Sequence, residues 1–553
     1  MKIKNLLKKL LFMIALCTPL LLSAQVDTRG TDFWLAFGNN GNNAAPTSVD
    51  LQIRVVADQA TTGTIHFTEL GTSIPFSIPA GGVFTHVLNN DQKTAVYSRD
   101  AGTSSKTARI QTNNPVTVFA LNQLSLFTDA TNVLPVQTLG TEYFQVQHVS
   151  NSVTWSGGYL MIAIEDNTQI VHGGTSITLN AGQVHYFRTM PDLTGTHIIS
   201  DKPIAFFSVQ TTMIHTPGAD HLFQQLAPVN TWGRDFIVPV TLRGVERVRI
   251  VASQNGTNIT QTGGTLITTT GGQTTLSNLN VGQWVELEIT LANNGAFIQS
   301  NHPIAVCVFM VSNVHPGITN DFGQGDPAMA WIPPIEQTAR QGLIAPFVPQ
   351  GTTVINRHYA TIVTPTATKD NTTMRIGTGE AQPLSGGVWN HNAASGMSFY
   401  NVELTNPTAS YIFTNLAGLF IMGYGLATGS ESYHYLAASA MRILDVAFYA
   451  NNIHNQDLET NPFGVSGINF RAEVQGDIST SPNHIRWFID GVEDVSLRDQ
   501  LTWNRNLPNG TYLIVLEVLM DDNITVRQVE GTLTIAIPFI KVNPHVKKRL
   551  IEE

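Results

Sequence analysis

A chain of 553 residues is too long for a single hydrophobic core, and its formal net charge of −10 offers no surface for a phosphate backbone. Two cysteines exclude a disulfide framework. With only 13% charged residues, 45 glycines and abundant Thr and Asn, the composition suits several β-structured cores rather than helices.

The chain starts Met1-Lys2-Ile3-Lys4-Asn5-Leu6-Leu7-Lys8-Lys9, runs on through apolar residues from Leu10 to Leu22, and leaves them through Ser23-Ala24-Gln25. A basic start, a short apolar stretch and a small-residue exit predict a secretory signal peptide over 1–24, hence an exported protein at the cell surface or outside the cell. Cys17 raises the question of a lipid anchor, but Leu16 before it is not the small residue that such a signal needs. Cleavage removes four lysines and no acid, so the net charge becomes −14 and Cys307 is the cysteine that stays. It lies in the apolar run Ile304 to Met310, as a buried and unreactive thiol.

From about residue 27 one phrase recurs: a polar turn, usually a proline, then an apolar strand. It reads Asn113-Asn114-Pro115-Val116, then Asp201-Lys202-Pro203-Ile204, then Asn301-His302-Pro303-Ile304, and more weakly Asn415-Leu416-Ala417-Gly418-Leu419. A second phrase, an apolar strand and a turn ending near Asn-Thr, precedes the later copies, as in Ile164-Glu165-Asp166-Asn167-Thr168. A third follows: an acidic or polar loop leading to an apolar step with proline, from Asp129 to Pro135, from Asp220 to Pro228 and from Asp326 to Pro333. The order is constant and the spacing, roughly 90–115 residues, is that of a β-sandwich domain. The repeat region therefore spans 25–440, in units of about 27–150, 151–240, 241–345 and 346–440.

Alternation such as Thr64-Ile65-His66-Phe67-Thr68 and Gly-Gly or Asn-Asn punctuation mark strands joined by tight turns. No sustained helical period follows the signal peptide. Over 441–540, Trp487 on an early strand and Tyr512 after a turn fit an immunoglobulin-like sandwich without its disulfide. The tail 541–553 is charged. The fold class is thus all-β: four tandem β-sandwich-like units and a C-terminal Ig-like sandwich. Each unit exceeds a four-stranded propeller blade, which favours a row of sandwiches over blades closed into one body.

The opening Arg29-Gly30-Thr31-Asp32-Phe33-Trp34-Leu35-Ala36-Phe37, then Pro115 to Asn122, Leu134-Pro135-Val136, Leu139-Gly140-Thr141-Glu142-Tyr143 and Glu165 to Thr168, resembles the N-terminal domain of the IgG Fc-binding protein family. The resemblance covers roughly residues 27–440 and is similar in particular to bacterial exported members followed by an Ig-like domain. It implies an extracellular recognition module without catalytic residues. In physical terms Phe33, Trp34 and Phe37 read as core aromatics of the first unit.

His215-Thr216-Pro217-Gly218-Ala219-Asp220-His221 is the most chemical-looking segment, with His215, Asp220 and His221 as candidate ligands of a transition metal. The other copies hold His315 with Asp326, and Glu431 with His434, at different spacings. That variation favours a solvated loop with turn chemistry. Asn320-Asp321 to Asp326 and Asp521-Asp522 have the oxygens but not the spacing of a calcium loop. Glu165 and Asp166, adjacent on a strand, point to opposite faces and suit an Asx-type turn. No nucleophile elbow and no phosphate-binding loop occurs, so no catalytic residue and no cofactor is assigned.

These features predict an exported binding or adhesion protein whose partners are host or matrix glycoproteins, immunoglobulin Fc among them, with no nucleic acid. A self-associating structural surface component is the alternative, since tandem sheets carry free edges. A glycan hydrolase would need two carboxylates about 5–10 Å apart in a cleft.

Overall fold

Proline cannot donate to a sheet ladder, so a strand that contains one bends or changes partners there. Each copy of the proline phrase lies in one long strand that does so. These are Ala108–Leu124, His197–His215, the interrupted pair Ala296–Ser300 and Ile304–Met310, and Tyr411–Ala427. In the first unit the residues before the bend pair with a leading strand, Gly30–Leu35, and with a hairpin, Thr61–Phe67 and Thr72–Ile78. Those after it pair with Asp50–Ala57, itself paired with Val83–Val87, and with a last strand, Phe127–Val133. A hydroxyl fixes the bend: Thr112 donates to the Asn114 carbonyl at 2.9 Å, Ser200 to that of Lys202 at 2.7 Å, and Ser300 to that of His302.

The computed structural model describes residues 26–537 apart from 42, 149–155, 216–217, 319–324, 349–354, 428–430, 445, 475–477 and 520–525. The predicted signal peptide with Cys17, the calcium candidates Asn320-Asp321 and Asp521-Asp522, the charged tail and the His215 side chain lie outside the described residues. Among the described residues one short α-helix, Asn90–Val96, interrupts the β-structure, and no helix is long and apolar enough to cross a membrane.

The chain is all-β and its units are sandwich-like, but they do not stand in a row. Residues Val26–Asp445 form one compact unit. The last strand Phe127–Val133 lies against both Gly218–Gln225 and Ser432–Ala438, and Met329–Trp331 lies against the same two. Four last strands thus surround a common axis, the largest core cluster draws on all four units from Phe33 to Met441, and a second one joins Phe119 and Leu121 of the first unit to Leu343 and Tyr435 of the fourth. Unit length misleads because only half of each unit faces the axis. That inner half shares four strands in every copy, as in Val184–Thr189, Gly157–Ala163, His197–His215 and Gly218–Gln225, which is blade-sized, and the later three copies add a short fifth strand at its far edge. The residues in excess form the outer hairpin and leading strand.

Two of the three joints between consecutive units share a motif, Thr-x-Gly-x-acid, at Thr138 to Glu142 and Thr231 to Asp235, while the third reads Gln337-Thr338-Ala339-Arg340-Gln341. Thr138 donates its N–H to the Pro135 carbonyl at 2.9 Å, Thr231 to that of Pro228 at 3.0 Å, and Gln337 to that of Pro334 at 2.9 Å. The glycine is required by close approach: a Cβ on Gly140 would stand 2.5 Å from Pro228, and one on Gly233 2.5 Å from Pro334. The acid ties the leading strand to the long one, with Glu142 on His197 at 2.7 Å and Asp235 on Gln299 at 2.8 Å. The fourth joint repeats this without a covalent link. Thr28 to Asp32 carries the same motif, Thr28 donates to the Ser439 carbonyl at 3.0 Å, and Met441 donates to the Val26 carbonyl at 2.9 Å. The two ends of the unit therefore close the ring.

The described residues from Val446 onward belong to a second unit with its own core. Two antiparallel sheets, one holding Val446–Ala450, Gly467–Val474 and Thr502–Asn506, the other Ile485–Ile489, Gly510–Leu519 and Val526–Ile535, enclose fully buried Trp487. Trp503 stacks on Phe470 at 3.9 Å, and the Tyr512 hydroxyl donates back to the Pro508 carbonyl at 3.0 Å. The latter bond is the corner expected of an Ig-like sandwich.

Candidate functional site

A last strand pairs along one edge only, so the N–H groups of its other edge need acceptors. On the axis they find side chains. The Asp129 carboxylate accepts one N–H from each of the four units: Ala130 at 2.8 Å, Phe223 at 3.1 Å, Met329 at 3.1 Å and His434 at 3.1 Å. Thr131 accepts from Gln225 N–H at 2.7 Å, and Gln225 Oε1 accepts from Leu134 N–H at 2.8 Å. Burial pushes the Asp129 carboxyl well above the ordinary carboxylate range, and the four N–H groups oppose that shift.

The other acids of the third phrase gather at the same centre. Asp220 accepts from Thr128 N–H at 2.5 Å and from His221 N–H at 2.7 Å. Glu431 accepts from Leu126 N–H at 2.7 Å and from the Thr128 hydroxyl at 3.1 Å. Asp326 lies beside Gly218, across the joint between the second and third units. All are buried, as are His221 and His434. The solvated-loop reading of these residues is therefore corrected: Asp129, Asp220, His221 and His434 sit in strands whose second edge is closed by neighbouring units. As for the metal candidates, Asp220 and His221 are adjacent in one strand, and the His221 ring meets Asn122 at 3.0 Å. Among the described residues no three His, Cys, Asp or Glu side chains are grouped to hold a metal ion. His315 lies against Glu288 at 3.4 Å. Asp166 accepts from Ala181 N–H at 3.1 Å, closing a turn in which Asn167 has a φ of 56°. Cys307 is fully buried, and burial pushes its thiol up.

Ion pairs weld the joints. Fully buried Arg249 of the third unit reaches Glu286 at 2.9 Å and Asp192 of the second at 2.7 Å, and lies 4.0 Å from the Trp284 ring centre. Burial would raise the Glu286 carboxyl, but His148 and Arg249 hold it well below its ordinary value.

These shifts fix the response to acid. Burial pushes His221 and His434 down to about 3 and His358 down to about 4. The unfolded chain therefore takes up protons first, and stability is lost as pH falls below 6.5 towards 3. Burial pushes Glu246 up to about 7 and Asp326 up to about 6, so there the folded chain binds the proton first and gains stability between about pH 7 and 4. Burial likewise pushes Asp129 and Asp220 well up, so they act in the same sense as Glu246 and Asp326. These acids offset the histidines down to about pH 4; below it only losses remain, and Glu286 adds to them. Urea midpoints should stay nearly flat from pH 7 to 5 and drop between pH 4 and 3, each proton contributing about 1.4 kcal/mol per pH unit. A steady decline starting at pH 6.5 would contradict this balance.

Outside the axis, uncharged hydroxyl and amide groups dominate two shallow clefts. One, of about 940 Å³, lies on the outer face of the first unit among Thr62, Thr64, Gln111, Asn113 and Phe76, with Asp32 held by Arg109 at 2.8 Å. The other, of about 450 Å³, lies on the fourth unit among Thr368, Asn371, Thr373 and Thr414. Such surfaces suit adaptable polar recognition.

Residues 129–425, from the axial aspartate to the end of the fourth long strand, match the sequence profile described as IgGFc binding protein. The chain belongs to the IgGFc-binding protein family. It is 24% identical over 244 residues to the human (Homo sapiens) IgGFc-binding protein, which covers 41% of this chain and 4% of that protein. The chain thus spans a small fraction of that relative's length. Fibronectin(III)-like modules of Clostridium thermocellum CbhA match at 11% identity over 35% of this chain and 87% of theirs, with a TM-score of 0.11, a likeness too low to bear on the fold. Within the IgGFc-binding family region lie three of the four axial acids, Asp129, Asp220 and Asp326, and the fourth-unit cleft.

Proposed function

We propose that this chain is an exported recognition protein of the IgGFc-binding family that binds host or matrix glycoproteins, immunoglobulin Fc among them, through outward faces of the four-unit ring. The family match over 129–425 carries the reading. The basic, apolar and small-residue pattern of 1–24 supports export. The ring supports recognition by rigidity: its polar groups are spent on holding units together, and its clefts open outward without a metal or reactive nucleophile being needed. Immobilised chain lacking residues 1–24, titrated with Fc, Fab and purified mucin glycoproteins, should bind Fc or mucin saturably and Fab no better than a blank. Equal, blank-level signals for all three would defeat the proposal.

A further inference from the structure

Two units carry a buried arginine at the same position, and their joints complete it differently. Arg249 of the third unit lies opposite Cys307 and Arg54 of the first lies opposite Phe119; Cys307 and Phe119 each stand fourth after the proline of the long strand. On the other side Arg249 lies opposite Glu286, whereas Arg54 lies opposite Thr85. The facing units correspond in the same way. Gly195 of the second packs on Gly282, and Asp192 stands three residues before it; Ser410 of the fourth donates to the Gly81 carbonyl at 2.5 Å, and Pro407 stands three residues before it. Thr85 and Pro407 thus stand where Glu286 and Asp192 neutralise Arg249.

Arg54 is nevertheless only 2% exposed. Its Nη2 donates to the Pro407 carbonyl at 2.7 Å, and its Nε, the atom that meets Glu286 in Arg249, has no hydrogen-bond partner. Burial pushes the guanidinium down, and the groups that oppose this are the Tyr435 and Tyr433 hydroxyls, not a carboxylate. The fourth-unit sequence holds no acid over 337–369 or over 404–430. A buried charge without a counter-ion is costly, and the third unit shows that a carboxylate is what completes it. The fourth unit offers a second orphan donor at the same place. The Tyr435 ring packs 5.0 Å from that of Phe119, and its buried hydroxyl has no partner. Thr85 is exposed and shorter than glutamate, which leaves a way in along the Nε side.

We propose that Arg54 binds a small free carboxylate at the joint between the first and fourth units. The carboxylate takes the Nε–H that Glu286 takes in the third unit, and the Tyr435 hydroxyl is the donor from the fourth unit. Charge-assisted bonds of this kind are the strong ones, and a guanidinium suits the planar carboxylate. The ligand bridges the two units that no peptide bond joins, so its binding tightens closure of the ring.

The experiment titrates acetate into the whole chain lacking residues 1–24, at ionic strength held constant with chloride, and follows the heat of binding and the urea midpoint. One acetate per chain should bind, with half-saturation on the order of 1–10 mM, and the midpoint should rise with acetate and level off. Arg54→Met should weaken binding by about 10-fold or more, as expected for the loss of a charged donor. Thr85→Glu supplies the carboxylate from the chain itself, as Glu286 does. It should raise the midpoint without acetate and abolish the response to it. Absence of saturable binding to the parent overturns the proposal, and so does acetate binding that stays within two-fold of the parent in either variant. Thr85 lies on the surface, so the second variant decides the matter even where Arg54→Met fails to fold.

Discussion

Replacing Asp129 by Asn should cost the four-unit ring about 3–5 kcal/mol, and replacing it by Ala should cost more. The carboxylate accepts from four backbone donors. An amide of the same shape keeps one accepting oxygen and turns an NH2 group towards two of those donors. Each buried N–H left without a partner costs about 1–3 kcal/mol, and the bonds that remain lose the strength lent by charge. Removing a buried charge gives something back, because burial already penalises it. That gain does not restore acceptors to strand edges that face only one another. Urea unfolding followed by tryptophan emission measures the difference. A loss below about 1 kcal/mol would show that the four N–H groups find other partners and that Asp129 is not the hub.

The role of Asp129 was not legible in the sequence, for a definite physical reason. Carboxylates are rarely fully buried, so an acid between apolar runs reads as a loop. The local signal pointed the other way: Thr128 to Val133 contains no Gly or Pro, and neither does Asp220 to Leu226. The copies themselves were legible because a polar turn, with proline in three of the four, and an apolar strand after it recur where the long strand bends. Their arrangement was not, because length counts the outer hairpin together with the blade. What would have shown closure is the motif Thr-x-Gly-x-acid, present at Thr28 as well as at Thr138 and Thr231. At Thr28 it stands at the start of the first unit, and there the structure joins it to the end of the fourth.

A chain beginning at Gly30 should be less stable than one beginning at Val26 by about 4 kcal/mol, although it loses only four residues. Those four make the one joint that has no peptide bond behind it. They supply the Thr28 and Met441 backbone bonds, buried Asp27 with its ion pair to Arg29 at 2.6 Å, and the Arg29 bond to Gln341 at 2.9 Å. Each such bond contributes about 1 kcal/mol, and burial of the segment adds to them. Once the joint is open, the end of the fourth unit and the facing edge of the first are free to meet the same surfaces on another copy, so dimers should appear with rising concentration in sedimentation. In a row of four sandwiches the same deletion would trim a frayed end and change neither stability nor mass. Equal unfolding midpoints for the two chains, with both monomeric, would therefore show that the ring is not closed by its ends.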